Sequence, residues 1–152
     1  MSTTSPFQFV GHKIEKLLVE IPFGFDNKKS DQLNYFATYG GEFQKDKWVG
    51  SVTIAFRQMN KDNEQPAVLF EVVVVGRFIF KASDSDEDKN AFIKFLKTSG
   101  AATVIPLARA AVASAGALCG SPDVCIIPNI NVYNLNWTEP EAPEQNSESK
   151  AE

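Results

Sequence analysis

The chain has 152 residues, enough for one domain that buries a core without disulfide or metal staples. Its 15 basic and 19 acidic residues form no basic stripe, and much of the acidic excess lies after Trp137, which argues against a nucleic-acid partner. No run approaches the ~20 apolar residues of a membrane span, and the start MSTTSPFQFVGHK has neither the basic lead nor the apolar stretch of a signal peptide, so a cytoplasmic protein without direct membrane insertion is expected.

Phe7 to Ile21 reads as a strand, with Leu17, Val19 and Ile21 on one face, Glu20 on the other, and a bulge at Gly11. Pro22 ends it. The connection PFGFDNKKSD holds two aromatics, Phe23 and Phe25, that either tuck into the core or line a site. Leu33 to Tyr39 is a short aromatic strand, and Gly40 with Gly41 reads as the turn after it. From Lys47 to Met59 the alternation is the best in the chain: Trp48, Val52, Ile54 and Phe56 share one face, Ser51, Thr53 and Arg57 the other. NKDNEQP is the next turn. Ala67 to Phe80 is a long strand whose middle, Val72 to Val75, is apolar on both faces and so needs cover on each.

The acids of SDSDEDK suit the positive end of a helix that Ser85 or Asp86 can cap. Asn90 to Lys97 is expected as a short helix with Phe92, Phe95 and Leu96 inward, stopping near Gly100. A long helix follows from Ala101 to Leu118, uncharged except for Arg109, with Pro106 about one turn in if Thr103 caps the start. Ala110, Ala111, Ala113, Ser114, Ala115 and Gly116 give it too little side-chain volume to fill a core alone, so it needs close neighbours on more than one side, within the monomer or across subunits. SPDVCIIPNINVYNLNW is an extended, proline-hinged apolar segment, and TEPEAPEQNSESKAE a tail rich in Pro, Glu and Ser. The fold class is therefore α+β, a four-stranded antiparallel sheet with a short and a long helix packed on it, with a domain over residues 1–137 and a disordered acidic tail over 138–152.

Convergent polar groups for catalysis cannot be assembled. His12 is the only histidine, no GxGxxG, GxxxxGK[ST] or HExxH occurs, and Asp84, Asp86, Glu87 and Asp88 lack the glycine and final glutamate of a calcium loop. Cys119 and Cys125 form no CxxC pair and read as reduced, buried thiols. No catalytic residue, metal ligand or cofactor is nominated, and the chain is not read as an enzyme. Aromatics and apolar hinges point instead to binding through apolar surface.

One family carries the same features. Ile105-Pro106-Leu107-Ala108-Arg109, then Gly120-Ser121-Pro122, then Ile126-Ile127-Pro128-Asn129-Ile130-Asn131 resemble the signature of the SecB export chaperones, and Val68-Leu69-Phe70-Glu71-Val72 with Gly76 and Phe78 is similar to the family's last strand. The resemblance spans roughly residues 7 to 133. Ser121, Val132 and Leu107 stand where the family has aromatics, and Ala110 where it has an acid. The resemblance implies a homotetramer, a dimer of dimers, with the long helix at its centre; Arg109, Ala110, Ala113 and Ser114 are the interface candidates. It also implies an ATP-independent chaperone that holds unfolded or precursor polypeptides for export in grooves between the sheet, the first crossover and the hinge. Phe23, Phe25, Phe36, Ile126, Ile130, Val132 and Tyr133 are the groove candidates. Glu20, Leu69 and Glu71 match the sheet face on which the family docks the SecA motor, with Lys16 in place of an acid. The family's final helix is cut short here by proline. Two rivals remain: a SecB-like chaperone dedicated to an antitoxin of a toxin-antitoxin system, and a β-rich carrier of a small ligand, which would be monomeric with an enclosed pocket.

Overall fold

A computed structural model of the chain describes residues 4–23, 25, 33–60 and 68–140. Four strands, β1 (Phe7–Val19), β2 (Asn34–Gln44), β3 (Lys47–Met59) and β4 (Val68–Phe80), form one antiparallel sheet in the order β1-β4-β3-β2. Alternation decides which side is covered. Trp48, Val52, Ile54 and Phe56 of β3 lie opposite Phe80, Gly76, Val74 and Val72 of β4, and together they form the floor of the core. The expected irregularity at Gly11 is present as a break in register between Phe9 and Gly11, and a second follows between Ile14 and Lys16. The turn expected at NKDNEQP, from Lys61 on, and the first crossover from Asp26 lie outside the described residues.

Two expectations fail for one reason. Gly40 and Gly41 are not a turn; β2 runs through them to Gln44, and the hairpin closes on Lys45 and Asp46, with Lys45 at φ 60°. The glycines make room for a ring. A Cβ at Gly41 would meet Phe92 Cε1 at 2.8 Å, and one at Gly50, its partner on β3, would meet the same atom at 2.9 Å. Phe92 thus settles into the sheet between them and stacks with Phe80 at 5.9 Å.

Ser85 caps the first helix, its hydroxyl accepting the Asp88 N–H at 3.1 Å, while the Asp88 carboxylate accepts both the hydroxyl and the N–H of Ser83. These bonds hold the Asp88 carboxyl below its ordinary pKa. The helix α1 (Asp86–Phe95) begins before the expected Asn90, and Gly100 does not stop it: a π-helical stretch, Leu96–Gly100, leads straight into α2 (Ala101–Leu118). Gly100 is instead a contact point, where a Cβ would come 3.0 Å from Val52 Cγ2. Nor is Thr103 a cap, since its hydroxyl donates to the Ser99 carbonyl one turn back. Pro106 therefore sits inside a continuous helix, on an exposed stretch where water can serve the carbonyl of Ala102 that loses its donor.

Phe92, Leu96, Ala101, Val104, Ala108 and Val112 make the buried line of this helix. The wider π turn inserts a residue and keeps both halves aimed at the sheet. By length and composition Asp86–Leu118 is apolar enough to cross a membrane, and one face of it is buried on the sheet. The helix ends at Cys119 in a Schellman motif: Gly120 at φ 74° donates to the Ala117 carbonyl, and Ser121 to the Gly116 carbonyl.

Candidate functional site

The sheet has two outer strands, β1 and β2. The outer edge of β2 is covered by the chain itself. After the helix, residues 119–131 return along α2, pinned by Arg109, whose Nε donates to the Ile127 carbonyl and Nη2 to that of Pro128, both at 3.0 Å. Cys125 packs over Gly116, where a Cβ would clash with its own at 2.5 Å, and burial pushes its thiol pKa up. Cys119, expected to be buried, is exposed, because it sits at the helix cap rather than under it. Among the described residues, a 3-10 turn, Val132–Asn134, capped by the Asn131 carboxamide oxygen, is the helical element after α2.

Beyond it the chain lies parallel to β2. The Thr138 N–H donates to the Ala37 carbonyl at 2.8 Å and the Thr38 hydroxyl to the Thr138 carbonyl at 3.1 Å. The Asn136 N–H donates to the Tyr35 hydroxyl, and the Tyr39 hydroxyl to the Glu139 carboxylate at 2.6 Å. Trp137 meets Tyr39 edge-on at 6.0 Å, and Lys97 lies over the Tyr39 ring, its Nζ 4.8 Å from the centroid. Burial, then the Glu139 hydrogen bond and charge, push the Tyr39 pKa up to about 12. The domain boundary drawn after Trp137 falls inside this contact, so the folded part includes Thr138 and Glu139; residues 141–152 of the tail lie outside the described residues.

Concavities flank this covered edge. One of about 330 Å³ lies between Tyr39, Trp48, Phe92 and Glu139, and one of about 350 Å³ between Lys94, Val132, Tyr133, Leu135 and Trp137. A third, about 320 Å³, opens on the other face of the sheet between Phe36, Ala55, Arg57 and Glu71.

The groove candidates are divided among these surfaces. Phe36 is 46% exposed and sits beside Ala55 on the sheet face away from the helices. Ile130 and Val132 pack against the core on the helix side, while Ile126 and Tyr133 stand out into solvent. Phe23 is fully exposed and Phe25 half-buried, so Phe23 does not tuck into the core. Sequence reasoning missed Tyr39, Leu135 and Trp137; the signal available was the alternation of Leu135 and Trp137 on either side of Asn136.

The motor-face candidates are unlike one another. Glu20 is exposed, Leu69 is fully buried, and Glu71 is nearly buried between Lys16 Nζ at 3.2 Å and Arg57 Nη2 at 3.0 Å. Burial works to raise the Glu71 pKa, but hydrogen bonds from Lys16 and Arg57, with their charges, outweigh it and hold the carboxyl below the ordinary range. Leu69 therefore offers no surface, and Glu71 is matched by cations of its own chain. Of the interface candidates, Ala110, Ala113 and Ser114 are exposed, whereas the Arg109 guanidinium is engaged with the hinge. Among the described residues no group of three or more His, Cys, Asp or Glu side chains could hold a metal ion.

No protein-family model and no curated protein matches this chain in sequence. Among solved structures it is similar in fold to a Mycobacterium tuberculosis SecB-like chaperone, Rv1957, determined in complex with a ChAD peptide from the Rv1956 HigA1 antitoxin. The match covers 82% of this chain and 91% of that one, with a TM-score of 0.51 and 13% sequence identity.

Proposed function

We propose that this chain is a SecB-like chaperone that holds extended, unfolded polypeptides against apolar surface. The observation that supports it most is the pairing of a SecB-like fold with large apolar side chains that the chain leaves uncovered: Phe36 on β2, Ile126 and Tyr133 on the segment after α2, and Phe23 after β1. Each well-buried apolar side chain of a client gains about 1.5–3 kcal/mol on leaving water, so a handful of contacts holds an unfolded chain without sequence-specific recognition. Folding of the client hides those side chains and ends binding.

The finer reading is a cytoplasmic homotetramer that works without ATP and serves export. An exposed, uncharged stripe of α2, through Ala102, Pro106, Ala110, Ala113 and Ala117, supports assembly through the helix, because small residues allow close approach. Docking to a SecA-type motor would rest on Glu20 and the surroundings of Glu71.

A second reading is favoured by the complex above, in which a chaperone of this fold carries an antitoxin peptide: this chain then serves a single antitoxin. Light scattering from a reduced, unfolded protein tests both. A general holder suppresses aggregation at stoichiometric amounts with no nucleotide present. A dedicated one leaves scattering unchanged yet binds an antitoxin segment tightly. A chain that does neither, and binds a small apolar ligand as a monomer, would be a carrier.

A further inference from the structure

The covered edge of β2 carries an inference about regulation of the proposed client site, and it rests on the chaperone reading above. β2 pairs with β3 along its whole length, from Asn34 opposite Arg57 to Gln44 opposite Lys47. Its other edge is met by a strap, residues 135–139, that makes one main-chain bond to it, from Thr138 to Ala37; the remaining links run through the Tyr35, Thr38 and Tyr39 hydroxyls. Pro140, having no N–H, cannot extend the ladder.

Side chains divide as they would in an added strand. Leu135 is 8% exposed and Trp137 half-buried against Tyr39, while Asn136 and Thr138 between and beyond them are exposed. An extended segment with two large apolar residues, two apart, therefore fits this edge, with main-chain bonding for affinity and alternate side chains for selectivity. The hold is shallow. Releasing the strap gives up one ladder bond, three hydroxyl links, the Lys97–Glu139 ion pair and the burial of Leu135, fewer groups than opening the β2–β3 ladder would.

We propose that the segment Leu135–Glu139 is a resident stand-in for client, occupying the β2 edge until an unfolded polypeptide of extended form, with large apolar residues at alternate positions, displaces it. The strap keeps the edge from pairing with stray strands. It also lowers the apparent affinity for client by the fraction of time it is seated.

Thr138→Pro removes the donor to Ala37 in the full chain, and Trp137→Ala removes the ring on Tyr39; far-UV circular dichroism checks that each variant folds. The probes are a fluorescein-labelled peptide copying residues 132–140 and a reduced, unfolded protein. If the strap is seated about nine-tenths of the time, T138P binds both probes about tenfold more tightly than the unaltered chain, and W137A shifts the same way. Equal affinity of the copied peptide for the unaltered chain and both variants would overturn the proposal. So would a client that binds all three equally, an outcome that leaves the chaperone reading standing. A copied peptide that gains affinity for T138P while no unfolded protein binds any of the three would keep the strand site and sink the chaperone reading.

Discussion

At the centre of the sheet, β3 and β4 pair from Trp48 opposite Phe80 to Met59 opposite Val68, and Ile54, Phe56, Val72 and Val74 disappear beneath the helix. At the edge of β2, by contrast, a five-residue strap is held by one main-chain bond, a set of hydroxyls, an ion pair from Glu139 to Lys97 and the buried Leu135, with Trp137 only half-buried. Both regions are aromatic and apolar. They differ in how many groups must be given up to open them, which separates a permanent core from a surface able to exchange its occupant.

The largest expected effect lies at the centre. Phe92→Ala empties the space that Gly41 and Gly50 keep clear, and should cost about 3–5 kcal/mol, read from the midpoint of urea unfolding at unchanged slope. A loss below about 1 kcal/mol would mean the ring is not the keystone of the helix-sheet contact. Next comes Gly116→Ala, which drives a methyl into Cys125 and should cost about 1–3 kcal/mol on the same scale. Its distinctive sign would be faster labelling of Cys125 by a thiol reagent, as the hinge lifts from the helix.

How much of this contrast could be read in the sequence follows from the same physics. β3 and the outline of β4 were legible because one face of each is buried and the other is not, so alternation survives in the residues. Gly41 and Gly100 mislead because glycine marks a turn and a tight approach alike. Here Phe92 and Val52 supply the approach, and neither is near the glycine in sequence. The cap at Ser85 and the fit of the acids to the helix's positive end are legible in the sequence, but the start at Asp86 is not, because the apolar period begins only with Ala91 and Phe92. The hinge was recognised from Pro122 and Pro128, but not that Arg109 bonds to it. The strap was hidden most completely: Thr138 and Glu139 begin a stretch with the composition of a disordered tail, and their partners Ala37, Thr38 and Tyr39 lie about a hundred residues away.

Smaller effects come from two titrations. The folded-state pKa of Tyr39 is raised from 10.0 to about 12, so its contribution is fully present below pH 10 and lost as pH rises through 12. Tyr39→Phe should remove the tyrosinate absorbance component that ionises near 12 and leave the core unfolding enthalpy nearly unchanged; loss of a component near 10 instead would mean that the Tyr39 hydroxyl is neither buried nor bonded to Glu139. Glu71 behaves oppositely. Its folded pKa is lowered from 4.5, so its contribution is present above the ordinary carboxylate range and lost as pH falls through its depressed value. Glu71→Gln should flatten the acid side of the stability curve only slightly, because its partners Lys16 and Arg57 are half-exposed.

Native mass with and without a reduced, unfolded client bears most directly on the chaperone reading. A SecB-like holder runs as a tetramer and takes the client into a stable complex with no nucleotide added. A species of one chain's mass that leaves the client free would contradict both the helix-mediated assembly and the holding function.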